Sequence, residues 1–575
     1  MSVRESVSIP GASRLRMPRW NVQTVLLTSV VALAVYLVIV PLVFLLWSSF
    51  RSGPIGFPSE LTVQNYVTAY ADPGTYKLFA TTVVFAVSSA ALALFLGVLF
   101  AWLLERTNVP FKETLYSLMP VPIAVPGVLF SIGWVLLLSP QIGVINVYLR
   151  WFFDLENAPI NIYSLGGMVF LEGLHLIPIT FLMIAGAFRR MDPSLEEASA
   201  VAGGGLFRTL RSVTLKVLWP SILAAYIYVV ISAMESFEIP GVIGMRAGIH
   251  VLALRIYLAA SQPPTNYGLV STYAVLLLVI SALLIYFYSK AVGQGERFAT
   301  ITGKAYRPKL IDLGRWKYAA LALFVVYFLV TVVLPFLVLL WASFLPYYEI
   351  PSARALTKLS WENYFIIWEF PKVGLAFRNT LIMVLLAPTV TMIICAVISW
   401  FIVKSQGRGR RALDILTFLP HAIPGIVTGV SLLYVYVVLP VPIYGTLWIL
   451  LVAYVTGRIS FGTRVMNAAM TQLHKELEEA SYTSGGSWLR TFIKITLPLL
   501  MPAFVNGWIF SAIAVARAIG SVIMIYSPST IVVPVMVWEL WNNGEVPPTS
   551  ALGVMMIASL IAATFIARKL GLRSL

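Results

Sequence analysis

The chain has 575 residues, of which 59% are hydrophobic and 11% charged, and its mean hydropathy is +0.87. Soluble domains carry about 45–50% apolar and about 25% charged residues, so this composition excludes an ordinary soluble enzyme and reads as a polytopic membrane protein. The net charge of +16 raises the question of a nucleic-acid partner, and the placement of the charges answers it below.

A span needs about 20 apolar residues. In chain order, twelve stretches qualify, at about 24–47, 79–103, 116–138, 165–188, 218–238, 268–289, 318–344, 375–403, 415–438, 444–467, 499–526 and 551–568. The first is too long for the apolar core of a signal peptide, and no small-residue cleavage site follows it, so it reads as a retained span. With the N-terminus inside, about 30 of the 40 Lys and Arg fall on cytoplasmic segments, whereas the acids divide about evenly. Arg14, Arg16, Arg19, Arg189, Arg190, Lys304, Arg307, Lys309, Arg408, Arg410, Arg411, Arg568 and Lys569 all lie there. The excess charge therefore reports topology, with both termini cytoplasmic, and no nucleic acid is expected. Cys395 is the only cysteine, so neither an intrachain disulfide nor a cysteine metal cluster can form.

The chain repeats itself. LTVQNY at 61–66 returns as LSWENY at 359–364, and Pro122 with Pro126–Gly127 returns as Pro420 with Pro424–Gly425, both at a shift of 298. WSSF at 47–50 resembles WASF at 341–344. EEASAVAGGGLFRTLRSVTLKVLWP at 196–220 returns as EEASYTSGGSWLRTFIKITLPLLMP at 478–502, at a shift of 282. The first half thus carries 16 extra residues, expected in the external loop around 139–164. Six spans per half return the chain to its starting side, so the halves are parallel and related by an axis along the membrane normal. The expected fold is an all-α membrane protein with about twelve transmembrane helices in two parallel six-helix repeats, 1–298 and 299–575. The junction lies in the polar, basic stretch near 290–316.

The duplicated segment spans about 189–217 and 468–498. Pro193–Ser194 precedes a short helix whose first turn holds Glu196 and Glu197, where acids complement the helix dipole. Gly203–Gly205 end it, and a second segment carries Arg208, Arg211 and Lys216 towards Pro220. The second copy has Glu478, Glu479, Gly485–Gly486, Arg490 and Lys494. A helix–turn–helix is expected at two symmetric places on the cytoplasmic surface.

These residues carry a resemblance. Glu197-Ala198-Ser199, then Gly203, Val213 and Leu215, and Glu479-Ala480-Ser481, then Gly485, Ile495, Leu497 and Pro498, resemble the signature of permease subunits of ATP-binding-cassette importers. Lys216 stands where the pattern has proline. The resemblance implies that Glu196, Glu197, Ala198, Gly203 and Arg208, with Glu478, Glu479, Ala480, Gly485 and Arg490, form coupling surfaces for two copies of a cytoplasmic ATPase. No G-x-x-x-x-G-K-[ST] phosphate loop occurs in the chain. ATP and Mg would then reside on the partner, and this chain would need no cofactor and would not be an enzyme. The resemblance also implies an extracytoplasmic solute-binding protein and residence in a bacterial cytoplasmic (inner) membrane.

Ionisable groups at bilayer depth are costly and usually functional or paired. Glu172 and His175 lie one turn apart on the fourth expected span, Glu235 and Glu238 end the fifth, His421 sits between Pro420 and Pro424, and Arg517 lies in the eleventh. These six are candidates for the translocation path or the interface between halves. The 282 shift sends Glu235 to Arg517, so the two are expected to pair across the axis. Glu172 and His175 are too few for a closed metal site, and no metal is expected. The fused twelve-span form resembles ferric-iron importer permeases, and Glu238-Ile239-Pro240-Gly241 resembles the Glu-Phe-Gly-x-Pro element of the iron and polyamine branches. Ferric iron is the favoured solute, with polyamine, thiamine or aminoethylphosphonate as alternatives. An ion-gradient-driven secondary transporter would leave the duplicated loop unexplained, and a membrane-embedded enzyme would call for larger external loops.

Overall fold

The computed structural model describes residues 22–53, 59–262, 265–297, 310–405 and 409–569. Among them, ten helices are long and apolar enough to cross a membrane: Val25–Ser49, Pro73–Arg106, Leu165–Arg190, Leu206–Glu235 and Tyr267–Val292, then Trp316–Ser343, Val373–Val403, Leu447–Thr471, Trp488–Arg517 and Val546–Ala563. Helices satisfy every backbone N–H and C=O within the segment, as a lipid solvent requires. Each of the ten falls on one of the twelve expected spans.

The third and ninth expected spans are each broken in two. Lys112–Ala124 and Gly127–Leu138 meet at 92°, and Arg410–Ala422 and Gly425–Val438 at 106°. The duplicated prolines are the cause. Proline lacks an N–H and pushes the residue before it out of the helical region. Val125 and Ile423, which precede Pro126 and Pro424, are both extended, with ψ 121° and 112°. A hydropathy window sees one apolar run of the right length and cannot see the corner. A third bend, Pro240–Ala247 with Leu252–Ser261 at 78°, follows the fifth expected span. The eleventh expected span, 499–526, stops early at Arg517, because Ala518 is extended at ψ 128°.

The two repeats interlock. Val22–Ser49 packs on Tyr267–Arg297 of its own half and on Gly425–Val438 of the other. Leu334–Ser343 does the same, packing on Val546–Lys569 and on Gly127–Leu138. Each half's first helix therefore covers the other half's bent element. Tyr36 and Tyr436 hydroxyls meet at 2.8 Å across this seam. Phe100 packs against Phe324 and Tyr327 with tilted rings, centroids 4.6 and 5.1 Å apart.

Within each half the tightest pair is the second span on the fourth, Pro73–Arg106 on Leu165–Arg190 and Val373–Val403 on Leu447–Thr471. Without a hydrophobic drive in lipid, such approaches rely on small residues. In the first half Gly97 provides the notch: a Cβ there would lie 2.7 Å from Thr180 Cγ2. In the second half Gly462 provides it, with Cys395 Sγ 2.7 Å from its virtual Cβ. By the repeat, Cys395 is the equivalent of Gly97 and Gly462 that of Thr180. The small and large partners have exchanged sides, and Cys395 is a packing residue.

The Asn-Tyr of the repeated LTVQNY and LSWENY segments clamps the end of each half's first helix. Asn65 Nδ2 donates to the carbonyls of Ser49 and Arg51, and the Tyr66 hydroxyl meets Ser49 Oγ at 2.7 Å. Asn363 and Tyr364 repeat this on Ser343 and Leu345. The extra residues of the first half form the helix Val144–Phe153 and its flanks, as expected for 139–164. Asn146 pins it to the carbonyls of Leu138, Ser139 and Ile160. The expected repeat boundary at 298/299 lies outside the described residues. Where the chain resumes, Ile311 pairs with Thr107 and Asn108, and Asn108 Nδ2 donates to Asp312 at 2.6 Å.

Candidate functional site: the duplicated loop and the charged centre

Both copies of the loop adopt one structure. Helices Ser194–Val201 and Glu476–Thr483 end at Gly203 and Gly485, which take φ +79° and +80°. A side chain is disfavoured in that region by about 1–2 kcal/mol. The next glycines, Gly204 and Gly486, have no room for a Cβ, which would sit 2.8 Å from the carbonyl oxygens of Ser199 and Ser481. Ser199 shares a hydrogen bond with Thr209 at 2.8 Å, and Ser481 with Thr491 at 2.7 Å, which locks the turn. The chain then enters Leu206–Glu235 or Trp488–Arg517 through a single π-turn, Leu210–Thr214 or Phe492–Thr496. Lys216 in place of proline leaves this exit unchanged, since the π-turn occurs in both copies.

The first glutamate of each pair faces the bundle. Glu196 accepts from Thr214 Oγ1 at 2.6 Å and forms an ion pair with Arg106 at 2.8 Å. Glu478 accepts from Thr496 Oγ1 and Trp400 Nε1, each at 3.2 Å. The second-loop counterpart of Arg106 is Lys404, which donates instead to the Leu473 carbonyl at 2.5 Å. Sequence alone could not separate the two acids of each pair. The structure makes Glu196 and Glu478 anchors, while Ala198, Arg208, Glu479, Ala480 and Arg490 lie on the outside, and Glu197 is half-buried. Leu195, Phe207, Leu477 and Leu489 add exposed apolar groups to the same surfaces. A shallow groove of about 450 Å³ follows the second loop, lined by Gly485, Ser487, Leu489, Arg490, Ile493 and Lys494.

The six intramembrane candidates gather in one region where the halves meet. Glu172 is buried and accepts from Ser236 Oγ at 2.7 Å. His175 packs on Phe130 at 5.6 Å and is within electrostatic reach of Arg517. Glu238 accepts from the N–H groups of Gly127 and Val128, so it caps the helix Gly127–Leu138 at the proline corner. His421, at the other corner, stacks on Tyr228 at 5.2 Å. His175, Tyr228, Glu235, Glu238, His421 and Arg517 are each only partly covered.

The expected Glu235–Arg517 pair is not formed. No ion pair within 4 Å joins them among the described residues, and the carboxylate that acts on Arg517 is Glu238. Glu235 Oε1 is buried without a hydrogen-bond partner. The reason is the break after Glu235: the extended Ser236, at ψ 121°, turns the chain so that Glu238, not Glu235, is carried towards the other half. Arg458 was missed. It lies in Leu447–Thr471, close to Arg517, Tyr228, Tyr454 and His421. The rule that singled out Arg517, an ionisable residue inside an apolar run, applies to it equally.

Comparisons with known proteins agree with the duplication. The family model described as binding-protein-dependent transport system inner membrane component matches residues 93–292 and again residues 392–573. Over 542 residues the chain is 24% identical to the ferric transport system permease protein FbpB of Actinobacillus pleuropneumoniae, covering 93% of this chain and 76% of that one. It is 26% identical over 514 residues to the putative ferric transport system permease protein FbpB 1 of Haemophilus influenzae, covering 88% and 78%. A shorter stretch of 173 residues is 28% identical to the putative 2-aminoethylphosphonate transport system permease protein PhnV of Salmonella typhimurium, covering 29% and 63%. Among solved structures, a chain of the bacterial alginate ABC transporter, determined with its pentasaccharide-bound periplasmic protein, aligns over 44% of this chain and 93% of that one, at 17% identity and a TM-score of 0.36.

Proposed function

This chain belongs to the family of binding-protein-dependent transport system inner membrane components, and from that premise we propose that it is the permease of an ATP-driven importer for ferric iron. It is a multi-pass membrane transport subunit that works with a solute-binding protein. One polypeptide supplies both membrane halves, divided near 298/299. The termini and both duplicated loops lie on the cytoplasmic side, and the binding protein docks on the opposite face.

Each duplicated loop receives one copy of an ATPase subunit, which carries ATP and Mg. The observation behind this assignment is that one structure is built twice, down to the left-handed glycine and the Ser–Thr lock. Its outer face is polar with exposed apolar knobs, and its inner face is tied to the spans by Glu196 and Glu478. A push on Ser194–Val201 or Glu476–Thr483 passes through those glutamates to the second and fifth spans of each half. Replacing Glu479 and Gly485 together should lower uptake and ATPase association while the permease still purifies as a monodisperse protein. Wild-type uptake with two ATPase subunits still bound would overturn the docking assignment.

Ferric iron is supported by the near full-length likeness to the two ferric permeases. Uptake of radiolabelled ferric iron by cells carrying the whole system tests it, and iron uptake no greater than in cells lacking this chain would refute it. Aminoethylphosphonate is the second reading, supported by the shorter match to PhnV, and the same assay with that solute decides between them.

A further inference from the structure

The charged centre has walls of opposite sign. Glu172, Glu235 and Glu238 come from the first half, and Arg458 and Arg517 from the second. By the repeat, Glu235 corresponds to Arg517, Glu172 to Tyr454, Glu238 to Gly520 and Leu176 to Arg458. The two halves have therefore diverged in charge at the place where their equivalent helices meet.

The charges do not simply neutralise one another. Neither arginine has a carboxylate within 4 Å among the described residues, and Arg458 lies within electrostatic reach of Arg517. Around Arg458 stand the phenols of Tyr228 and Tyr454 and the ring of His421, with no carboxylate among them. Glu172 is occupied by Ser236, and Glu238 by the helix end at Gly127 and Val128. Glu235 alone keeps a buried carboxyl oxygen without a partner. It lies two turns from Tyr228 on the same helix, so both point to one side, and Glu235 and Arg458 are both within electrostatic reach of Tyr228. Both arginines are only partly covered.

Two guanidiniums within electrostatic reach of one another at membrane depth are costly unless an anion joins them. Their planar forks match carboxylate and phosphate oxygens. A bare cation would meet them as a barrier, and a bare anion would meet Glu235 and Glu238. We propose that the charged centre is a solute site of two signs, taking a ferric ion only together with an anionic oxygen chelator, whose oxygens lie on Arg458 and Arg517 while the cationic side faces Glu235. This rests on the ferric reading above and adds the form in which iron crosses.

The test uses the assembled transporter, with its ATPase and binding protein, in proteoliposomes. Iron and citrate are supplied with separate radiolabels, and iron with labelled phosphate in a parallel arm. Both labels should enter together in a fixed ratio in at least one arm, which also identifies the anion source. Arg458→Gln and Arg517→Gln should each cut entry of both labels about tenfold, the loss of one charged hydrogen bond, and Arg458→Lys should recover part of it. Co-purification of the ATPase with each variant separates a lost site from a lost fold. Iron entering without either anion overturns the proposal, as does wild-type uptake by a folded Arg458→Gln protein. Equilibrium binding of labelled citrate or phosphate to the purified permease gives an independent readout. If iron never enters yet either anion binds and Arg458→Gln abolishes it, the ferric reading fails and the anion half of the site stands. If neither anion binds, the site itself is refuted.

Discussion

Arg106 Nε lies 2.8 Å from Glu196 Oε2, which ties the end of the second span to the first turn of the first duplicated helix. The guanidinium is almost fully buried, and its Nη2 also donates to the carbonyls of Phe188 and Met191 at 3.1 and 3.4 Å. The second half makes the same tie with neutral donors, Trp400 and Thr496, on Glu478.

The two ties should respond differently to loss of charge. Glu196→Gln leaves a buried arginine without its counter-charge, a loss of about 3 kcal/mol. Glu478→Gln keeps a carbonyl oxygen for both donors and should cost about 1 kcal/mol. Thermal unfolding in detergent measures the difference, and equal shifts for the two variants would contradict it. On this basis the first loop is the more sensitive of the two in stability. Lys216 alone would suggest the reverse, but the π-turn is the same in both copies.

The exchanged notch can be moved. Gly462→Thr alone should collide with Cys395 and destabilise the second half by about 1–3 kcal/mol. Adding Cys395→Gly recreates the Gly97–Thr180 arrangement of the first half and should restore most of the loss. A melting temperature for the double variant no higher than for Gly462→Thr would show that the two packings are not interchangeable.

Crosslinking tests which carboxylate meets Arg517. In a Cys395→Ser background, the serine can still donate to the Ile459 carbonyl that Cys395 Sγ reaches at 3.4 Å. Cysteines at 238 and 517 should join with short reagents, and cysteines at 235 and 517 should react far more slowly. The reverse order would reinstate the pairing expected from the repeat. Gly127→Ala should also impair transport, because its methyl group would overlap the Glu238 carboxylate.

Outside the membrane, Lys358 donates to Glu349 and to the Tyr347 hydroxyl, each at 2.5 Å for the lysine. The bond from Lys358 holds the Glu349 carboxyl below its ordinary 4.5, and the bond to Glu349 raises Lys358 above its ordinary 10.5. A lowered acid contributes stability above its unfolded value, which is lost as pH falls through the folded one. A raised base contributes below its unfolded value, which is lost as pH rises through the folded one. The tie is therefore complete between 4.5 and 10.5 and weakens outside that window. Amide exchange over 345–360, corrected for its intrinsic pH dependence, should rise below pH 4.5 in the native chain and be less pH-dependent in Lys358→Gln.

Periodicity, hydropathy and self-similarity determined a great deal by themselves. Ten spans were legible because lipid demands about 20 apolar residues whatever the neighbours are. The duplicated loop was legible because a turn glycine and helix-start acids are local requirements, written within 20 residues of one another, whereas the Ser–Thr lock emerged only from the structure. The place of the first half's extra residues followed from a change of shift alone, and the structure shows that they form a helix. Tertiary structure decided what depends on direction. Whether a proline in an apolar run kinks a span or turns it by 92° or 106° depends on what packs against the corner. Here that is the first helix of the opposite half. Which glutamate of each pair anchors, and whether Glu235 or Glu238 reaches Arg517, turns on rotation about a helix axis and on the single extended residue Ser236. A one-dimensional repeat places equivalent residues at equivalent positions. It does not say which way they point, and in a medium that leaves no charge unanswered, that direction separates an ion pair from an open site.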